Sequence, residues 1–197
     1  SRVHAVRMDV TIRPARAGEH SAAGEISARA YLADDLLVFG AEDPYLDRLH
    51  DAAGRAAVAE LLVAVPRYTQ NAGPAARPAA PGLGPVRAGE VLGTVTFAAD
   101  GPFAQVARPD EAEFRMLAVA PAARGRGIGE ALVRHCAERA AGLGRRALVL
   151  SIADNNEHGA RLYRRMGFRP EPSRDWQPVP GLTLRVLALP LTAGSGR

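Results

Sequence analysis

The segment Arg124-Gly125-Arg126-Gly127-Ile128-Gly129 lies between an extended apolar run and an amphipathic stretch, and it constrains the chain more than any other. Three alternate glycines let the backbone turn tightly and leave its N–H groups unobstructed by Cβ atoms. A helix beginning there aims its positive dipole end and its first amides at the same spot. Two interleaved arginines add formal charge. The segment reads as an anion cradle suited to a diphosphate. Its surroundings decide which one.

Behind the loop, Ile128, Leu132, Val133, Cys136 and Ala140 recur at helical spacing, closed by Gly142 and Gly144. Ahead of it, Glu113 to Val119 reads as a strand ended by Pro121, and Ala147 to Ile152 as a strongly apolar strand. Together they predict a parallel β-loop-α-β unit over 113–152. A second helix starts after Asp154-Asn155 and ends at Gly167, where a C′ glycine belongs. Strands near 168–172 and 182–189 finish the pattern. In the first half, strands are expected at 10–13, 61–65 and 90–97, with Gly93 a bulge or a close-approach point. Helices are expected at 19–32 and 52–60. The class is α/β with a mixed sheet, as one domain over 8–191. The Pro-, Ala- and Gly-rich 66–89 reads as a disordered insertion rather than a lid, and 1–7 as an extension outside the core.

Composition narrows the function. All 25 basic residues are arginine, so no lysine is present to act as base, nucleophile or Schiff-base former. The net charge is +4, yet the arginines are scattered and only 5% of residues are aromatic. Neither a basic stripe nor a stacking platform for nucleic acid is visible. No apolar run approaches the ~18 residues of a membrane span, and the single cysteine, Cys136, fits a core position. No metal cluster is expected. A cytoplasmic setting is the simplest expectation.

Arg124-x-x-Gly127-x-Gly129 matches the Q/R-x-x-G-x-G/A signature of the GCN5-related N-acetyltransferase (GNAT) superfamily. Downstream, Asn156-x-x-Gly159-x-x-Leu162-Tyr163-x-x-x-Gly167-Phe168 resembles that family's N-x-x-A-x-x-L-Y-x-x-x-G-F segment, with Gly159 where alanine is usual. The two motifs occur in order around an apolar strand. The resemblance implies the acyl-CoA N-acyltransferase fold with a central splayed parallel strand pair, and acetyl-CoA as the acyl donor. It places the diphosphate on the backbone of Arg124, Gly125, Arg126, Gly127, Ile128, Gly129 and Glu130, and the pantetheine arm along Leu117, Ala118 and Val119. Arg124 and Arg126 are expected to contact phosphate rather than serve as surface charge.

The same resemblance assigns Tyr163 as the acid for the departing thiolate. A phenol with pKa ~10 is protonated at neutral pH, and Asn156, Gly159 or Ala160, and Tyr163 share one helix face. Asn156 reads either as a cofactor contact or as a helix cap. An amine acceptor with pKa ~10.4 needs about 4.6 kcal/mol to lose its proton at pH 7. Glu113, eleven residues before Arg124, resembles the glutamate base of histone-acetylating members. It reads equally as a strand-edge glutamate facing water, and other relatives use a water chain. Trp176 reads as an anchor for the C-terminal hairpin rather than a wall of the acceptor pocket.

The predicted activity is transfer of an acetyl group to a primary amine of a small molecule or protein. The alternative is an acyl-CoA-binding module without turnover. A dinucleotide fold is excluded because the glycines run G-x-G-x-G, not G-x-G-x-x-G. The acidic residues of 34–51 are expected as a solvated helix face rather than a lure for cationic amines. A homodimer is in keeping with the resemblance.

Overall fold

The computed structural model describes residues 8–67 and 89–192; the 1–7 extension and most of the 66–89 insertion lie outside them. The strands are β1 (Val10–Pro14), β2 (Glu60–Pro66), β3 (Gly93–Ala98), β4 (Glu111–Val119), β5 (Ala147–Ala153), β6 (Arg169–Pro170), β7 (Trp176–Val179) and β8 (Leu182–Pro190). The helices are α1 (His20–Ala33), α2 (Tyr45–His50), α3 (Ala52–Val58), α4 (Ile128–Gly142) and α5 (Glu157–Arg165). One sheet runs in the order β1-β2-β3-β4-β5-β8-β6, with β7 also on β8. Every pairing is antiparallel except β4 with β5.

Alternation along β2 shows how the sheet is covered. Leu62 and Ala64 pack with Ile128, Leu132, Val133 and Cys136 of α4. Leu61, Val63 and Val65 point the other way, against Ala23 of α1 and Ala52 of α3. With both faces buried, the strand reads as a continuous apolar run. Cys136 is fully buried in this core.

Two features of β4 shape the ground on which a ligand could sit. Its register against β3 shifts between Thr94↔Ala118 and Thr96↔Arg115, so Met116 and Leu117 together oppose Val95. Met116 takes φ 57, a conformation an unbranched side chain occupies only under constraint. The bulge therefore falls in β4. Gly93 is the close-approach point instead: a Cβ there would meet the Ala118 carbonyl at 3.0 Å and Ile128 Cγ2 at 3.1 Å. The second feature is the pairing with β5, which covers only Glu111↔Ala147, Ala112↔Leu148 and Glu113↔Val149. Beyond Glu113 the parallel strands part.

Other expectations shift at their edges. The acidic stretch contains α2, too short to announce itself by periodicity. Strand β7 carries Pro178, which suits an edge strand and hid it in the sequence. Among the described residues, no helix is long and apolar enough to cross a membrane.

Candidate active site

A 3-10 turn, Pro121–Ala123, carries β4 into the glycine loop. Gly125 and Gly127 adopt φ 74 and φ 80, the left-handed region that costs other residues roughly 1–2 kcal/mol. The first intrahelical bond of α4 runs from the Ala131 N–H to the Gly127 carbonyl at 3.0 Å. The N–H groups of Ile128 and Gly129 therefore have no acceptor within the helix. A Cβ on Gly129 would stand between Val119 and Leu162, 3.7 and 3.5 Å away. Its absence keeps a cleft open between the end of β4 and α5. Unpaired amides, a positive helix end and that cleft fit an extended anionic ligand.

A cavity of about 430 Å³ lies over this loop. Of the expected cofactor residues, 117–119, 124, 125, 127–130, Asn156 and Tyr163 line it. Arg126 does not. Its carbonyl accepts from the Met8 N–H at 3.1 Å, and its guanidinium Nη2 is buried without a hydrogen-bond partner among the described residues. The cavity also takes Tyr31, Asp34 and Leu36 from α1 and the turn after it, and His158 and Arg161 from α5. Sequence reasoning missed these: no spacing connects α1 to a loop ninety residues away. Asp34 pairs with Arg124 at 2.8 Å, so it belongs neither to a solvated face nor to an amine lure.

A second cavity, about 420 Å³, opens on the other side of the splay. The two share Tyr31, Leu36, Leu117, Asn156 and Tyr163. Tyr163 thus stands where one cavity meets the next. Its ring packs against Phe114 at 5.8 Å and Phe168 at 5.6 Å between centroids. Burial pushes its phenol pKa well above the ordinary value, so the hydroxyl is a hydrogen-bond donor at every physiological pH and not a base.

Asn156 caps α5: its Oδ1 accepts from the Gly159 N–H at 2.9 Å. The same side chain lines both cavities, so the two readings of this residue are compatible. A Cβ at Gly159 would meet Asn156 Nδ2 and Ile152 Cδ1 at 3.0 Å, which accounts for glycine where the motif usually has alanine.

Glu113 is 1% exposed, so it is no water-facing edge residue. It lines neither cavity. Its Oε2 accepts from the N–H groups of Gln105, Val106 and Ala107 at 2.7, 2.8 and 3.1 Å, while its Oε1 is buried without a partner. Two residues earlier, the fully buried Glu111 accepts from Arg174 at 2.8 Å and Arg146 at 2.7 Å. Burial alone would raise its pKa; these partners and the Arg108 N–H lower it instead.

The far cavity has an aromatic lining that includes Tyr31, Phe39, Tyr45 and Trp176. Trp176 also donates from its indole nitrogen to Ser151 Oγ at 3.3 Å, so it both anchors β7 and walls the cavity. Asp43 is held by the N–H groups of Tyr45 at 2.9 Å and Phe39 at 3.1 Å. Asp51 accepts from the Gly54 N–H at 2.8 Å. These acidic residues shape the backbone of 34–51. Among the described residues, no group of side chains has the makings of a metal site.

Comparison with curated protein sequences finds no match. Solved structures share the fold at low identity. One is a GCN5-related N-acetyltransferase from Kribbella flavida, with 23% identity and TM-score 0.61, covering 92% of this chain and 98% of that one. Another is a phosphinothricin acetyltransferase from Sinorhizobium meliloti in complex with acetyl-CoA, with 20% identity and TM-score 0.61, covering 95% and 91%. A third is the ribosomal-protein-S18-alanine N-acetyltransferase of Escherichia coli, with 21% identity and TM-score 0.59, covering 96% and 99%. The family described as the acetyltransferase (GNAT) family matches residues 46–168. That span holds the bulged strand, the glycine loop and the Tyr163 helix, and the chain belongs to the GNAT acetyltransferase family.

Proposed function

We propose that this chain moves an acetyl group from acetyl-CoA to the primary amine of an acceptor. The observation that carries the reading is the parting of β4 and β5 beyond Glu113↔Val149. It gives two cavities a common boundary at Leu117, Asn156 and Tyr163. The donor's diphosphate suits the amides of the glycine loop, and its amide-bearing arm suits the edge of β4 that lacks a β5 partner. The acceptor then approaches from the far cavity. Its free amine nitrogen forms the C–N bond, the C–S bond breaks, sulfur leaves with the electron pair, and the surplus proton passes from nitrogen to water.

In this reading Tyr163 stabilises the departing thiolate by donating a hydrogen bond. Full transfer from a phenol of pKa ~10 to a thiol of pKa ~8.5 runs uphill by about 2 kcal/mol, and burial of the phenol adds to that. Asn156 retains its Nδ2 donors for the donor's arm because only its Oδ1 serves the helix cap. Glu113 holds the 105–107 backbone, whose Gln105 lines the far cavity. It acts as a positioning residue, and water serves as base.

The test is purified protein with acetyl-CoA and a panel of amines, scored for free CoA thiol. Release that depends on both amine and Tyr163 is the expected result. Tight CoA binding with no turnover of any amine supports the alternative, a binding module on the same fold.

A further inference from the structure

The charge of the far cavity does not suit a simple amine. Its charged lining residues are Asp43, Arg48 and Arg115. Asp43 is 9% exposed, and both its oxygens already accept backbone N–H bonds. Among the described residues, neither Arg48 nor Arg115 is in an ion pair, although arginines such as Arg124 and Arg174 are. Arg115 is nonetheless fixed. Its Nη1 donates to the Phe103 carbonyl at 2.9 Å, its Nη2 to the Tyr45 hydroxyl at 3.4 Å, and its guanidinium lies 4.5 Å from the Phe103 ring centroid. These contacts use two of its five N–H donors. A planar cation held in place, with donors to spare and no counter-ion among the described residues, is suited to a carboxylate.

Position adds to the argument. Arg115 precedes the bulge at Met116, and Leu117 beyond it is shared with the donor cavity. Arg115 is thus at most about 7 Å along the strand from Leu117, where the two cavities meet. Apart from the neutral polar Gln105, Ser151 and Asn156, the remaining lining is apolar or aromatic.

Resting on the transferase reading above, we infer that the acceptor is a small amino acid-like molecule: a primary amine with an adjacent carboxylate and an apolar side chain. Arg115 binds the carboxylate, Arg48 adds charge at the mouth, and the aromatic wall takes the side chain. Acetylation leaves the carboxylate unchanged, so product and substrate use the same anchor.

The experiment compares leucine with isopentylamine, its decarboxylated counterpart, and with leucine methyl ester, by CoA release and steady-state kinetics. Leucine is expected to exceed both in kcat/KM by about tenfold to a hundredfold, the range of a hydrogen-bonded charge. Arg115→Met should raise the KM for leucine at least tenfold and leave both the KM for isopentylamine and the CoA affinity unchanged. Arg48→Met, at an exposed position, guards against misfolding at Arg115 and should raise the leucine KM a fewfold. Calorimetry with N-acetylleucine and N-isopentylacetamide reads the same preference without turnover. If isopentylamine matches or exceeds leucine, the carboxylate inference falls and the transferase reading stands. If no amine is turned over, both fall.

Discussion

Arg124 and Asp34 form a two-point ion pair, Nη1 to Oδ1 at 2.8 Å and Nη2 to Oδ2 at 3.2 Å, joining the glycine loop to the end of α1. Each side chain is about one-third exposed, so the pair contributes roughly 0.2–1 kcal/mol. A diphosphate on the loop competes with Asp34 for the same guanidinium. Asp34→Asn should therefore tighten CoA binding up to about fivefold by calorimetry, with little change in stability. Weaker binding would mean that the pair prepositions Arg124 rather than occupying it.

Gly127 caps α4 at φ 80. Gly127→Ala should lower stability by about 1 kcal/mol in urea unfolding. CoA affinity should fall as well, because relaxing that φ turns the first amides of α4 away from the loop.

The hydroxyl of Tyr163 is assigned a hydrogen bond to the developing thiolate. Tyr163→Phe keeps the ring against Phe114 and Phe168, so folding and CoA affinity should hold. The value of kcat should fall by about 10- to 100-fold, the loss of one hydrogen bond to a charged group. An unchanged kcat would remove Tyr163 from the chemistry.

Glu113 separates two roles cleanly. A general base lost to Glu113→Gln would reduce kcat by about 10²–10⁴. As a positioning residue, its amide replacement still offers an oxygen to the 105–107 N–H groups, so kcat and its pH profile should be nearly unchanged. Glu113→Ala strands those N–H groups and should raise the acceptor KM more than it lowers kcat.

Acid should weaken the fold through defined carboxylates. The Arg13 guanidinium, bonded to both oxygens of Glu19 at 2.7 and 2.8 Å, holds its pKa at about 2 against an ordinary 4.5. The folded state thus binds this proton less readily than the unfolded chain. Its contribution is complete above about pH 4.5 and is lost as pH falls toward 2. Glu111 acts in the same direction. Urea unfolding from pH 6 to 2 should show the decline, and Glu19→Gln should flatten it.

Much of this molecule was legible before folding. The glycine loop, α4 behind it and the Asn156–Tyr163 face of α5 come from one stretch of chain, where local spacing sets the geometry. The strands around them announce themselves because burial on both faces demands apolar side chains. Less legible were α2, six residues long, and β7, an edge strand carrying a proline. The acidic residues of 34–51 looked like a surface because their partners, the Phe39 and Tyr45 amides and Arg124, depend on turns that no periodicity encodes.

By itself, the sequence determined the ground proposed for the donor: glycines at 125 and 127 where φ is positive, a helix end for an anion, and a tyrosine on the same helix face as Asn156. Those relationships are local, spanning a few residues each. The tertiary structure alone assembled the cavity proposed for the acceptor. Arg48, Arg115, Tyr31 and Trp176 come from four distant segments and meet only because β4 parts from β5 and α1–α2 close over the gap. It also decided the surroundings of Glu113, whose burial and three amide partners follow from a loop packing back on its own strand.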